Sequence, residues 1–373
     1  MRTLEMYPAT PGVQALRPYA PGKPLSELER EYGIRDAVKL ASNENPLGPS
    51  QRVLDAMQAQ FADLARYPDG NGFELKTALA QTCAVPQDWI TLGNGSNDVL
   101  ELVARAFLSP KTSAVFSAHA FAVYPIVTQA IGARAIVAPA HDGSRGRRFG
   151  HDLDAMQAAI DADTRVVFIA NPNNPTGTWL DRSALHAFLR QVPDQVIVVI
   201  DEAYFEYVSE ADYPNALEWL AEFPNLLVTR TFSKAYGLAS LRVGYGVSQP
   251  GLADMLNRVR QPFNVNSLAQ AAAVAALADT EHLQRSVQLN RQGLQQFSDG
   301  LRDLSLDFIP SVGNFIAVDV GRAADAVYER LLREGVIVRP IANYAMPNYL
   351  RISVGLETEN HRCLQALARV LTA

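Results

Sequence analysis

Apolar runs that alternate with helical patterns constrain the fold of this 373-residue chain more than any other feature. The runs are rich in valine, isoleucine, leucine, alanine and phenylalanine, and they lie at residues 113–117, 135–138, 165–170, 195–200 and 226–229. Helical apolar spacing occurs between them, at residues 124–131, 152–160 and 181–192. Strands buried on both faces of a sheet have continuous apolar runs, and helices usually connect parallel strands. The pattern therefore predicts an α/β fold with a mostly parallel sheet covered by helices.

The remaining segments predict a second, smaller domain, because single hydrophobic cores stop growing at roughly 250–300 residues. Helices are predicted at residues 51–64, 73–83, 99–107, 252–260, 266–278, 283–304, 323–334 and in the last residues to Ala373. Strands are predicted at 89–92, within 306–320, and at 336–339 and 350–354. We expect a large domain at 51–282 and a small α+β domain at 283–373, with 1–50 forming an arm and part of the small domain.

Proline and glycine are frequent in the first fifty residues, chiefly at 16–24 and 40–48. This composition does not support a long helix, so we expect an extended arm. The arm would cover a site or a partner subunit, and a loose terminus is the alternative.

The charge balance disfavours nucleic acid as a partner, since the formal net charge is -6. The basic cluster 145–148 is interpreted as a solvated loop. Cys83 and Cys363 form no disulfide framework and have no metal-ligand spacing around them. No secretory apolar region begins the chain, and no run of about 18 uncharged apolar residues occurs. A soluble, cytoplasmic protein without a metal or a membrane span is expected.

Polar residues follow several predicted strands, where an α/β sheet usually binds its ligand. These segments are Gly93-Asn-Gly-Ser-Asn-Asp98, Asn171-Pro-Asn-Asn-Pro-Thr-Gly177, Asp201-Glu-Ala-Tyr204 and Thr231-Phe-Ser-Lys234. The glycine turn before the helix at 99–107 is compatible with an anion site, because helix N-termini present free N–H groups, and a plain glycine turn is the alternative. Asp98 occupies the place of a third glycine, so a dinucleotide-binding fingerprint is not present.

Lys234 is the strongest candidate for covalent chemistry. A crowded lysine can lose its proton and attack a carbonyl, while Ser233 and Arg242 nearby can hold a phosphate. Together they favour a phosphorylated aldehyde such as pyridoxal phosphate. An isolated Ser-Lys pair is usually a surface feature, but here several different polar segments end neighbouring strands.

Seven motifs in one register resemble those of the fold-type I pyridoxal-phosphate aminotransferases. They are Pro18-Tyr-Ala-Pro-Gly22, Asn43-Glu-Asn-Pro, Tyr67-Pro-Asp, Asn174-Pro-Thr-Gly, Asp201-Glu-Ala-Tyr, Ser233-Lys and Leu350-Arg-Ile-Ser-Val-Gly. Within that family the chain is most similar to the members that act on histidinol phosphate. The resemblance implies a large cofactor-binding domain, a small α+β domain, pyridoxal 5′-phosphate as cofactor, and a homodimer.

The resemblance also implies a role for each residue of the cofactor site. Lys234 would form the Schiff base and move the proton, Asp201 would pair with the pyridine nitrogen, and Tyr204 would bind the phenolic oxygen. Asn174 would share that oxygen and contact the substrate, and Phe121 would stack on the ring in place of the more common tyrosine. The cofactor phosphate would be held by Gly95, Ser96, Asn97, Ser233 and Arg242, and across a dimer interface by Tyr67.

For the substrate, the resemblance implies that Arg351 binds the carboxylate and that Arg339 binds the phosphate of histidinol phosphate, with Tyr19 nearby. An ordinary ion pair within the small domain is the alternative for Arg339. The implied reaction is amino transfer between histidinol phosphate and 2-oxoglutarate, which runs in reverse in histidine biosynthesis. Three alternatives stay open: an aromatic amino-acid aminotransferase, a threonine-phosphate decarboxylase and a cofactor-sensing regulator.

Overall fold

The computed structural model describes residues 9–19 and 22–372. Ala20 and Pro21 of the predicted arm, the first eight residues and Ala373 lie outside the described residues. The N-terminal segment contains the helices α1 (Pro11–Gln14) and α2 (Leu25–Tyr32) and the strand β1 (Val38–Lys39).

The expectation of an extended arm is wrong for residues 25–32, which form helix α2. Pro24 stands before the first turn, where its missing N–H breaks no helical hydrogen bond. Gly33 ends the helix with a φ of 73°, in the left-handed region that glycine adopts readily. Leu28 is fully buried in a cluster with Leu332 and Ile337, so packing stabilises this short helix.

A seven-stranded sheet forms the centre of the molecule, and its strand order is β2-β8-β7-β6-β5-β3-β4. Its strands are β2 (Ile90–Gly93), β3 (Ser113–Ser117), β4 (Arg134–Ala138), β5 (Thr164–Ala170), β6 (Ile197–Asp201), β7 (Leu226–Thr231) and β8 (Gly244–Ser248). The ladders from β4 through β7 are parallel, and β8 is antiparallel to both of its neighbours. The predicted fold class, a mostly parallel sheet covered by helices, is confirmed.

Strand β8 was not predicted, because two glycines interrupt its apolar pattern. A Cβ at Gly244 would collide with the backbone of Ser96, and a Cβ at Gly246 would press on Val99 and Leu227. The glycines therefore let the helix that begins at Ser96 pack directly on the sheet.

Helices cover both faces of this sheet, with one apolar core on each side. They are α3 (Gln51–Gln58), α4 (Phe73–Cys83), α5 (Ser96–Phe107), α6 (Val123–Ile131), α7 (Leu153–Ala158), α8 (Arg182–Leu189), α9 (Pro250–Val259) and α10 (Ser267–Leu277). The side chains of Asp152 and Asp181 cap α7 and α8, which explains why these helices begin next to the predicted starts at 152 and 181.

The C-terminal part is built on a four-stranded antiparallel sheet with the order β12-β13-β10-β9. Its elements are α11 (Thr280–Asp303), β9 (Phe308–Ile309), β10 (Phe315–Asp319), α12 (Ala324–Arg333), β11 (Val336–Ile337), β12 (Arg339–Pro340), β13 (Tyr349–Ser353) and α13 (Glu357–Thr372). The first strand of the chain, β1, pairs in parallel with β11. The domain limits at 51–282 and 283–373 stay a prediction, which this pairing and a separate apolar core around Phe297 support.

A buried ion pair between Arg230 of β7 and Glu202, which directly follows β6, gives a stability prediction. Arg230 and Glu202 approach to 2.7 Å with almost no exposed side-chain area, whereas Arg182 and Glu218 make an equally short pair at the surface. Replacing Arg230 by Met leaves a buried carboxylate unpaired and should reduce the free energy of unfolding by about 3–5 kcal/mol. The matched change Arg182→Met should remove less than about 1 kcal/mol. Urea unfolding of both variants measures this, and equal small losses would contradict it.

Candidate active site

A cavity of about 410 Å³ lies at the carboxyl ends of the central strands, between the two sheets. All the predicted site residues except Gly95 and Tyr67 line it: Tyr19, Ser96, Asn97, Phe121, Asn174, Asp201, Tyr204, Ser233, Lys234, Arg242, Arg339 and Arg351. The structure thus brings together residues that are more than 300 positions apart in the sequence.

Lys234 lies three residues after β7, and its Nζ donates a hydrogen bond to the carbonyl oxygen of Ser42 at 3.2 Å. Burial in the cavity, reinforced by the positive charge of Arg351, lowers the pKa of Lys234 to about 8. About a tenth of the molecules therefore carry the neutral amine at pH 7, far more than for an ordinary lysine, and the neutral amine is the state required to attack a carbonyl.

Asp201 is the last residue of β6, and its carboxylate is buried at the floor of the cavity. The hydroxyls of Tyr124 and Thr229 donate to its two oxygens at 2.9 and 3.0 Å. Burial raises the pKa of Asp201, which these hydrogen bonds oppose. A buried carboxylate of this kind is suited to accept a hydrogen bond from a protonated ring nitrogen. The sequence did not identify Tyr124 or Thr229, because each lies within a regular element.

Tyr204 and Asn174 face the same cavity from the loops after β6 and β5. The hydroxyl oxygen of Tyr204 accepts a hydrogen bond from Nδ2 of Asn43 at 2.9 Å. Burial raises the pKa of Tyr204 to about 12, so its hydroxyl keeps its proton at neutral pH. Asn174 Oδ1 accepts a hydrogen bond from Arg351 at 2.6 Å. Phe121 is half-buried at the cavity wall, and its ring meets Tyr124 edge-on at 5.9 Å between centroids.

The beginning of α5 forms an anion cradle. The helix starts at Ser96, three residues earlier than predicted. Its N-cap residue is Gly95, which has no side chain to cap the first turn. Gly95 has a φ of 80°, and a Cβ there would collide with the guanidinium of Arg242. That guanidinium donates to Ser233 Oγ at 3.3 Å. Free N–H groups, a hydroxyl and an arginine in one place fit a phosphate group.

Two arginines approach the cavity from the antiparallel sheet. Arg339 on β12 is the direct register partner of Arg351 on β13. Arg351 is buried, donates to the carbonyl oxygen of Ala41 at 2.6 Å, and has an Nε without a hydrogen-bond partner in the described part of the chain. The guanidinium carbon of Arg339 lies 5.8 Å from the ring centre of Tyr19. Both positions suit the binding of acidic groups.

Tyr67 is separate from the cavity of its own chain. Its side chain is 82 % exposed and stacks on Phe263 with 4.6 Å between ring centroids. The predicted role across a dimer interface therefore stays a prediction.

The fold and this cavity define an aminotransferase. The sequence pattern of the family "Aminotransferase class I and II" matches residues 35–367, so the chain belongs to that family. Aminotransferases of this family use pyridoxal 5′-phosphate, and the buried carboxylate, the lysine and the anion cradle fit that cofactor.

Relatives with related names cover almost the whole chain. Histidinol-phosphate aminotransferase 2 of Pseudomonas fluorescens is 64 % identical over 365 residues, which is 97 % of each chain. The protein of the same name from Pseudomonas aeruginosa is 63 % identical, again over 97 % of each. The crystal structure of histidinol-phosphate aminotransferase from Sinorhizobium meliloti in complex with pyridoxal-5′-phosphate has a TM-score of 0.89, 31 % identity and 98 % coverage of both chains.

The lowered pKa of Lys234 gives a testable pH dependence. The rate at which the cofactor-free protein reacts with pyridoxal phosphate should increase with pH and level off above about 8, because only the neutral amine is a nucleophile. In Arg351→Met the midpoint should move to higher pH, since loss of a nearby positive charge raises the pKa of Lys234. Rapid-mixing absorbance measures the rate, with Lys234→Ala as the blank. A wild-type rate that still rises at about pH 10, as for an ordinary lysine, would contradict this assignment.

Proposed function

We propose that the chain transfers an amino group between histidinol phosphate and 2-oxoglutarate, giving imidazole-acetol phosphate and glutamate. In histidine biosynthesis the reaction would run in the opposite direction. The observation that carries the proposal is the placement of Arg339 and Arg351 side by side in the cavity that contains Lys234. Two guanidinium groups suit one substrate that carries a phosphate and another that carries carboxylates. The relatives that are 63–64 % identical have names that agree with this substrate.

Pyridoxal 5′-phosphate, when bound, supplies the aldehyde that accepts the amino group and a ring that withdraws electrons from the reacting carbon. Asp201 would hold a proton on the ring nitrogen, because its buried carboxylate is already fixed by two hydroxyl donors. Lys234 would remove the proton from the α-carbon of the substrate and deliver it to the C4′ atom of the cofactor. Its lowered pKa suits this role, since a general base works best with a pKa near the working pH.

Arg351 would bind the carboxylate of glutamate and 2-oxoglutarate. Its guanidinium is oriented by Asn174 and by the carbonyl oxygen of Ala41, and the side chain lines the cavity. Arg339 would bind the phosphate of histidinol phosphate, with Tyr19 beside it. Arg351 would thus serve the carboxylate substrates and Arg339 the phosphate substrate, so that one cavity would accept two chemically different substrates in turn.

Selectivity for the phosphate should depend on Arg339. Arg339→Gln should reduce kcat/KM for histidinol phosphate by about 10²-fold or more, because a charge-assisted bond to the phosphate is lost. The kcat/KM for phenylalanine, measured with 2-oxoglutarate on the same sample, should change by less than about threefold. Equal losses for both substrates would assign Arg339 a structural role. A wild-type preference for phenylalanine would transfer the proposal to aromatic amino acids.

The proposal includes a cytoplasmic homodimer. The dimer is supported by exposed apolar side chains in residues 61–73 and at position 263, which are Phe61, Leu64, Tyr67, Phe73 and Phe263. Tyr67 and Phe263 stack on each other at the surface, and Gly70 lies against the same Phe263 ring. Large exposed aromatic groups are typical of a surface that a partner covers. No helix within residues 9–19 and 22–372 is both long and apolar enough to cross a membrane.

Dimer formation and the role of Tyr67 can be tested separately. Phe73→Asp should shift the sedimenting species from dimer to monomer and reduce activity, whereas Val137→Asp, an exposed apolar residue on β4, should leave the mass unchanged. Tyr67→Phe keeps the ring that stacks on Phe263 and should weaken cofactor binding by about tenfold without a change in mass, because one hydrogen bond is lost. Monomeric wild-type protein with full activity would exclude a site shared between subunits.

A further inference from the structure

Three consecutive residues, Ala41, Ser42 and Asn43, end at the first position of the Asn43-Glu-Asn-Pro motif and contact three different functional side chains. The carbonyl oxygens of Ala41 and Ser42 accept hydrogen bonds from Arg351 and Lys234, and the side chain of Asn43 donates to Tyr204. The resemblance to the aminotransferases implied no role for Ala41, Ser42 or Asn43. Because of these contacts, the three residues are candidates for orienting the side chains of Arg351, Lys234 and Tyr204.

Asn43 is held so tightly that its amide has a single orientation. It is 1 % exposed. Its backbone N–H donates to Ser353 Oγ at 2.8 Å, and the Ser353 hydroxyl donates to Asn43 Oδ1 at 2.9 Å. Its carbonyl oxygen accepts from Asn314 Nδ2 at 3.0 Å. Because Oδ1 is fixed on Ser353, the Nδ2 group must face Tyr204.

This orientation determines the direction of the Tyr204 proton. The hydroxyl oxygen of Tyr204 accepts the Asn43 amide N–H at 2.9 Å, so its own proton must point elsewhere. No residue in the described part of the chain accepts a hydrogen bond from this hydroxyl, and Tyr204 lines the cavity. We propose that Asn43 is a positioning residue whose side-chain amide directs the hydroxyl proton of Tyr204 into the cavity, toward the phenolic oxygen of the cofactor.

The inference rests on the proposed role of Tyr204. A hydrogen bond from Tyr204 to the phenolic oxygen draws electron density from the ring and reduces the proton affinity of the nitrogen that joins Lys234 to the cofactor. Asn43 thus acts on that nitrogen through Tyr204, without contact with it. The charged and titratable groups that face Tyr204 and Lys234 are Asp201, Glu44, Arg242, Arg351 and Tyr344, and the variants below leave all of them in place.

Asn43→Asp is the decisive variant, because it keeps the shape of the side chain and replaces a donor by an acceptor. Aspartate also tolerates the left-handed backbone at this position, where φ is 54°. The Tyr204 proton would then point to the new carboxylate. The pKa of the cofactor-bound nitrogen, read from the absorbance of the loaded enzyme as a function of pH, should rise by about one pH unit.

A double-variant cycle separates this effect from a direct effect of the new charge. If Asn43 acts through Tyr204, Asn43→Asp should shift the pKa more in the wild-type background than in Tyr204→Phe, where only the direct effect of the new charge is left. An equal shift in both backgrounds, or no shift in either, would overturn the inference. Ser353→Ala adds no charge and releases the Asn43 amide, so it should give a smaller rise in the same direction. It also replaces Asn43→Asp if that variant does not fold, as judged by circular dichroism and cofactor content.

The same cycle distinguishes failure of the inference from failure of the proposed function. If Tyr204→Phe alone leaves the pKa unchanged, the role assigned to Tyr204 is wrong. If Tyr204→Phe raises the pKa while Asn43→Asp and Ser353→Ala leave it unchanged, only the role of Asn43 is wrong.

Discussion

The burial of one amine determines the arrangement of this site. The amine of Lys234 is buried in the cavity, and removal of a charged ammonium group from water is unfavourable. Arg351 adds a repulsive charge, so the neutral amine is favoured, while the carbonyl oxygen of Ser42 accepts its N–H. The carboxylates of Glu44 and Asp201 oppose this shift, but burial and the charge of Arg351 outweigh them. The reactivity of the lysine thus depends on the central sheet that ends near Lys234, on Arg351 of the antiparallel sheet, and on Ser42 in the segment after β1.

The sequence predicted best those elements whose environment is uniform along their length. Strand β3 is buried at every residue and has the limits that its apolar run predicted. Helix α4 begins and ends where predicted, since three buried apolar residues recur with helical spacing. Strand β8 was missed because its glycines serve close packing with α5, which no local pattern shows. Helix α5 begins earlier than its apolar spacing because its first turn faces the cavity.

Site residues on motifs were found, and residues that act through others were not. Lys234, Asp201 and Arg351 stand in short segments with unusual composition, and the structure places them in one cavity. Tyr124 lies within the amphipathic pattern of α6, so its bond to Asp201 left no sequence signal. Asn43 begins one of the seven motifs, but the motif did not show its contact with Ser353, which is 310 residues away. Such partners are recognised only from tertiary contacts, because the local periodicity of a sequence does not show which distant residues will meet.

The pairing of β1 with β11 has a consequence for the order in which the enzyme assembles. All seven strands of the central sheet lie between residues 90 and 248, so this sheet can pair as soon as that part of the chain is available. Strand β1 must wait for a partner about 300 residues further along the chain. Contacts of such large sequence separation close late, since a long loop must first be ordered. A nascent chain would therefore acquire its lysine and its anion cradle first, and Ser42 and Asn43 would reach them last. Until then the amine would lack the carbonyl oxygen of Ser42 that accepts its hydrogen bond.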